Sequence, residues 1–156
     1  MNKSFRGELA DGDVKRIRLS TNDGLTGYKI KKFQVITADT VGAVTSSSMI
    51  AVYTTGKTDT GADRTALDSV TFNDPTLLAA IDYRQHSNEA YGVVGNNIIF
   101  DDKVFNQDIY ITHKDNLAAA TINFYLELEQ VKLSKDEAAV ATLKDMRAGP
   151  DTNFGS

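Results

Sequence analysis

The run Ala51-Val-Tyr-Thr-Thr-Gly-Lys-Thr58 has the residue types of a phosphate-binding loop, with alanine where the first glycine would stand. Such a loop curls backbone amides around a phosphate, sets a lysine on its oxygens and a hydroxyl on magnesium, and does so at a helix N-terminus. Here strand-like apolar sequence runs into the loop itself, and the residues after it, Asp59 to Asp63, break helices. The match reads as coincidence. Asp59-Thr-Gly-Ala62 repeats the tetrapeptide of aspartic proteases, whose chemistry takes two carboxylates sharing one proton. That motif normally closes an apolar strand, whereas Gly56-Lys-Thr58 precedes it here, so it too reads as coincidence.

The two histidines sit in unlike surroundings. His113 ends an apolar alternation beside Lys114 and Asp115, and His86 lies in the polar run Arg84-Gln-His-Ser-Asn88. Neither has a partner at helical ligand spacing, and no serine stands in a nucleophile-elbow context. Both read as surface histidines. The acidic pairs Asp11-Gly-Asp13 and Asp101-Asp102 could offer loop carboxylates to calcium, but neither continues into a ligand series, and both read as solvated turns. The chain has no cysteine, which excludes disulfides and thiolate zinc sites together. The expectation is a protein with no catalytic residue, no cofactor and no metal: not an enzyme.

Charge is the remaining chemical signal. Residues 1–32 carry eight Lys/Arg against four acids, within a chain of net charge −4. Opposite patches attract over about a Debye length, so this asymmetry could orient the protein against a partner or against its own copies. Arg16, Arg18, Lys29 and Lys31 are the candidate protein-contact patch, read as charges two apart on adjacent strands of a basic hairpin; plain solvation is the alternative. Nucleic acid would want aromatics interleaved with the cations, and only Tyr28 and Phe33 are near. No nucleic-acid partner is expected. No apolar run approaches the roughly 20 residues of a membrane helix, and the first residues lack the apolar stretch of a secretory signal, so folding in a cytoplasm is expected.

Period-two apolar alternations separated by turn clusters supply the elements that position these groups. Val14 to Ser20 alternates, Thr21-Asn-Asp-Gly24 has hairpin-turn chemistry, and Gly27 to Ile36 follows as a longer strand. Its phase slips at Lys31 and Lys32, which predicts a bulge. Ser48 to Thr54 is apolar on both faces, hence central, and Thr55 to Asp68 is a long loop. Asp74-Pro75 leads into an apolar run to Ile81, which predicts a short helix. Asn97 to Asp101 and Asp108 to His113 are short strands.

Thr121 to Leu133 is the clearest strand, with Ile122, Phe124, Leu126 and Leu128 on the core face and Asn123, Tyr125, Glu127 and Glu129 on the other. Ser134-Lys-Asp-Glu137 is a capping box opening a surface helix to about Arg147, whose apolar set is Ala139, Val140, Leu143 and Met146. The length fits one domain, over residues 1–150, with 151–156 a loose tail. The fold expected is mainly β: an antiparallel β-sandwich of jelly-roll or related Greek-key type with a short C-terminal helix.

Three segments together resemble small virion structural proteins of marine tailed bacteriophages: Arg16 to Tyr28, Val104 to Lys114 and Phe124 to Leu133. The resemblance spans most of the chain in scattered blocks, leaves residues 37–96 unmatched and carries no catalytic motif. It implies a capsid decoration or minor capsid component, made in the host cytoplasm and located in the virion. Other virion proteins such as the major capsid protein would then be its partners, and it would form a homo-oligomer or array on the particle. Loops rich in Thr, Ser, Asn and Asp on a compact β scaffold suit a protein that presents surfaces. They also suit a carbohydrate-binding β-sandwich module, for which the chain offers no tryptophan and only Tyr53, Tyr83 and Tyr91 in or beside variable loops.

Overall fold

A computed structural model describes residues 2–19, 21, 24–38, 45–57, 62–85, 93–100 and 103–147. Among these described residues eight strands and one helix are formed: β1 (Asn2–Leu9), β2 (Val14–Ile17), β3 (Thr26–Thr37), β4 (Ser46–Tyr53), β5 (Leu77–Gln85), β6 (Val93–Ile99), β7 (Ile109–Asp115), β8 (Ile122–Lys132) and α1 (Lys135–Arg147). They build two antiparallel sheets, ordered β1-β8-β3 and β2-β7-β4-β5-β6. The fold is a mainly β, antiparallel sandwich with a short C-terminal helix.

The core lies between the sheets. Ile122, Phe124, Leu126 and Leu128 of β8 pack there with Tyr28, Ile30 and Phe33 of β3, Ile50 and Val52 of β4, and Ile109 and Ile111 of β7. The face assigned to β8 from its alternation is therefore the buried one. The register of β3 against β8 shifts between Ile30 and Lys32, and the resulting bulge lets Ile30 and Phe33 both point inward. β4 stands in the middle of its sheet, as its two apolar faces demand: Ile50 and Val52 enter the main core, while Ala51 and Tyr53 join Leu77, Val70 and Phe100 on the outer side.

Several expectations are corrected. β1 is a strand where the sequence reads only as a charged lead-in; apart from Phe5 and Leu9 its residues are polar or glycine, so its apolar signal is thin. Residues 77–81 form the start of β5 rather than a helix. Asp74 accepts hydrogen bonds from the Thr76 amide (2.8 Å) and hydroxyl (2.6 Å), closing a turn, and Leu77 to Ile81 are then buried on both faces inside the sheet. A short apolar run reads alike as a buried strand or a buried helix, and position in the sheet decides it.

The basic hairpin does not exist. β2 pairs with β7 in one sheet and β3 with β8 in the other. The turn chemistry between them is overridden because Leu19 is buried in the inter-sheet core while Leu25 packs under α1, so the chain crosses between layers. The capping box forms as expected, with Ser134 and Glu137 each donating a backbone amide to the other's side chain at 3.1 Å. The helix docks on Leu133 through Ala138 and Ala141, however, and leaves Val140 and Leu143 exposed. Residues 151–156 lie outside the described residues.

Candidate functional site

At one end of the sandwich the sequence brings a histidine and a serine together. His113, on the same strand face as Ile109 and Ile111, is 0% exposed, and its Nε2 is 3.0 Å from Ser48 Oγ. Its Nδ1 lies 3.0 Å from the Leu9 carbonyl and 3.2 Å from that of Ala10. Carbonyls only accept, so Nδ1 carries the proton and Nε2 accepts from the Ser48 hydroxyl. A serine–histidine pair of this kind could activate a nucleophile, but Ser48 is only 2% exposed. The pair ties the β1–β2 turn to β4 and β7. The reading of His113 as a surface residue is thus overturned, and His86 lies outside the described residues.

The acids near that end are also engaged. Asp13 accepts the Ala10 amide at 2.8 Å, and Asp11 accepts the Asp115 amide at 2.8 Å and lies 3.4 Å from the Lys114 ammonium. These carboxylates shape a turn and join it to β7, beyond simple solvation. Asp115 accepts the amides of Leu117 and Ala120 at 2.9 Å and those of Ser47 and Ala118 at 3.3 Å. Burial alone would raise its pKa, but these four backbone donors outweigh it and hold the carboxyl below its ordinary value. Among the described residues no group of three His, Asp or Glu side chains is placed to hold a metal ion. Asp101 and Asp102 lie outside them.

Lys57 pairs with Asp63 across a small β-bridge, and its ammonium lowers the Asp63 pKa through their hydrogen bond and charge. Asp59 lies outside the described residues. Beside this bridge the Arg64 guanidinium stacks 3.7 Å from the ring centre of the buried Tyr53, which is therefore no open platform. Tyr83 packs against the core, and Tyr91 lies outside the described residues.

The four basic candidates are divided between the sheets. Arg16, on β2, donates from Nε to the nearly buried Asp108 at 2.7 Å, a contact that raises the arginine's pKa. Arg18 follows β2 and is exposed. Lys31, in the β3 bulge, pairs with Glu129 at 3.2 Å, and Lys29 stands opposite Glu129 in the strand register.

One surface has a different character. On the outer face of the three-stranded sheet, β8 is flanked by β1 and β3, and the register sets Arg6, Tyr125 and Gln34 in one row and Glu8, Asn123 and Ile36 in the next. These side chains line a shallow open depression of about 520 Å³. Tyr125 is 36% exposed and Ile36 68%. Farther along the same face the polar groups pair off, Asn2 with Glu127 at 2.9 Å and Lys31 with Glu129. The outward position of Tyr125 and Asn123 is legible from the alternation of β8; their neighbours on β1 and β3 are not.

No protein-family model, curated protein or solved structure matches the chain. Among the described residues no helix is long and apolar enough to cross a membrane.

Proposed function

We propose that the chain is a structural component of a virus particle, a capsid decoration or minor capsid protein that acts through protein–protein contacts. The observation that carries this reading is the order in which the strands pair. The first and last strands meet in one sheet, β1 with β8, while β2 meets β7 and β4 meets β5 in the other. This pairing supports a jelly-roll reading, an architecture recurrent in viral capsid and lectin domains. β6 departs from full regularity: it pairs with β5 and meets β3 through the Asn97 side-chain amide on the Phe33 carbonyl.

Fold alone does not give function, and two further observations support the same reading. His113, Ser48, Asp11, Asp13, Asp115 and Lys57 are all engaged in holding turns and strands together. The three segments that resemble phage virion proteins fall on β2 with the start of β3, on β7, and on β8.

Exposed ion pairs contribute only about 0.2 to 1 kcal/mol each, so attachment rests on extended surface, with charge adding orientation. Arg18 and Lys29 are the basic candidates outside an ion pair. Purified protein added to particles assembled without it should co-sediment with them, less so as salt rises. Replacing Arg18 by Glu and Lys29 by Gln, which avoids a like-charge pair with Glu129, should weaken binding and leave the melting temperature nearly unchanged. Wild-type protein that stays in the supernatant at every salt concentration would contradict the proposal.

A further inference from the structure

We infer that the outer face of the three-stranded sheet, around Tyr125, is a binding site for a neutral oligosaccharide. The inference goes beyond the particle role and does not depend on it. Neighbouring strands lie roughly 5 Å apart and same-face residues along a strand roughly 7 Å apart. The two rows Arg6–Tyr125–Gln34 and Glu8–Asn123–Ile36 therefore make a platform about the size of one or two sugar rings. The Tyr125 ring stands on the middle strand, open enough for the C–H face of a pyranose to lie against it.

The polar groups around that ring decide the class of ligand. Among the described residues, Arg6, Glu8, Gln34 and Asn123 have no side-chain hydrogen bond or ion pair, although the same sheet face pairs Asn2 with Glu127 and Lys31 with Glu129. Gln34 and Asn123 each offer a donor and an acceptor, Glu8 accepts and Arg6 donates, the mixed set that vicinal hydroxyls require. Arg6 and Glu8 cancel in charge, so the platform is neutral. A phosphate-rich ligand would meet Glu8 and only one cation, and an apolar partner would have to strip water from four polar heads for the sake of Ile36 and one tyrosine.

The test uses the full-length protein and a panel of tri- to pentasaccharides, neutral and acidic, followed by backbone amide NMR shifts and calorimetry. At least one neutral member should shift the amides of β8 around Asn123 and Tyr125. Tyr125→Ala should weaken that binding about tenfold or more, and Tyr125→Phe, which keeps the ring, should retain most of it. Tyr125 points away from the core, so both variants should stay folded, Tyr125→Ala melting somewhat lower through lost strand propensity and cross-strand contact. The inference is overturned if no neutral saccharide binds at millimolar concentration, if only sulfated or sialylated ones bind, or if Tyr125→Ala binds as tightly as the wild type.

Discussion

Asp115 shows how one side chain can hold an end of the sandwich. Its carboxylate takes four backbone amides, from β4 and from the turn between β7 and β8, where Ala119 adopts a positive φ of 53°. Because its folded pKa is lowered, the stability it contributes is fully present above the unfolded value of about 3.9 and is lost as pH falls through the folded value. Asp115→Ala should cost on the order of 3 kcal/mol at neutral pH, since it leaves four backbone donors, one buried and three part-buried, without their acceptor. The gap from wild type should close on acidification below pH ~4, as followed by denaturant unfolding across pH. A gap that stays constant down to the lowest pH would show that the charge plays no part. His113, near the same end, carries a lesson about legibility. Charged neighbours in sequence suggest a surface residue, yet the strand period sets it with Ile109 and Ile111, and that parity was available in the sequence.

At the scale of elements, β8 was fully legible because its two faces differ sharply in polarity and it lies between two partners. Phe124 is buried among Leu9, Phe33 and Ile122 in the inter-sheet core. Phe124→Ala should cost about 3 to 5 kcal/mol in chemical denaturation. A loss below about half a kcal/mol would mean that the β8 faces are assigned the wrong way round. Partners were harder to read than strands. Alternation says that Val14 to Ile17 and Gly27 to Ile36 are extended, but pairing between strands is set by contacts distant in sequence, so the apparent basic hairpin came apart into two sheets. The bulge at Ile30 and Lys32, by contrast, was visible as a slip of phase, since the side-chain period of a strand is two. β1 was missed for the opposite reason: an edge strand with Phe5 and Leu9 as its only large apolar residues carries little periodic signal.

For the whole molecule, β1 meets β8 in one sheet and β2 meets β7 in the other, and the buried Asp108, His113 and Asp115 serve the scaffold. The sandwich class was legible from many short strands with uneven connections; the layer each strand joins, and the Tyr125 platform built from three strands, were not, because they exist only once distant segments meet. The proposed role requires that the protein be part of a particle. The most direct measurement is quantitative mass spectrometry of density-purified virions from the culture in which the chain is expressed. A decoration or minor capsid protein should be recovered at a fixed stoichiometry to the major capsid protein that survives repeated banding. Absence from the banded particles, with the chain found only in the cell lysate, would contradict the account.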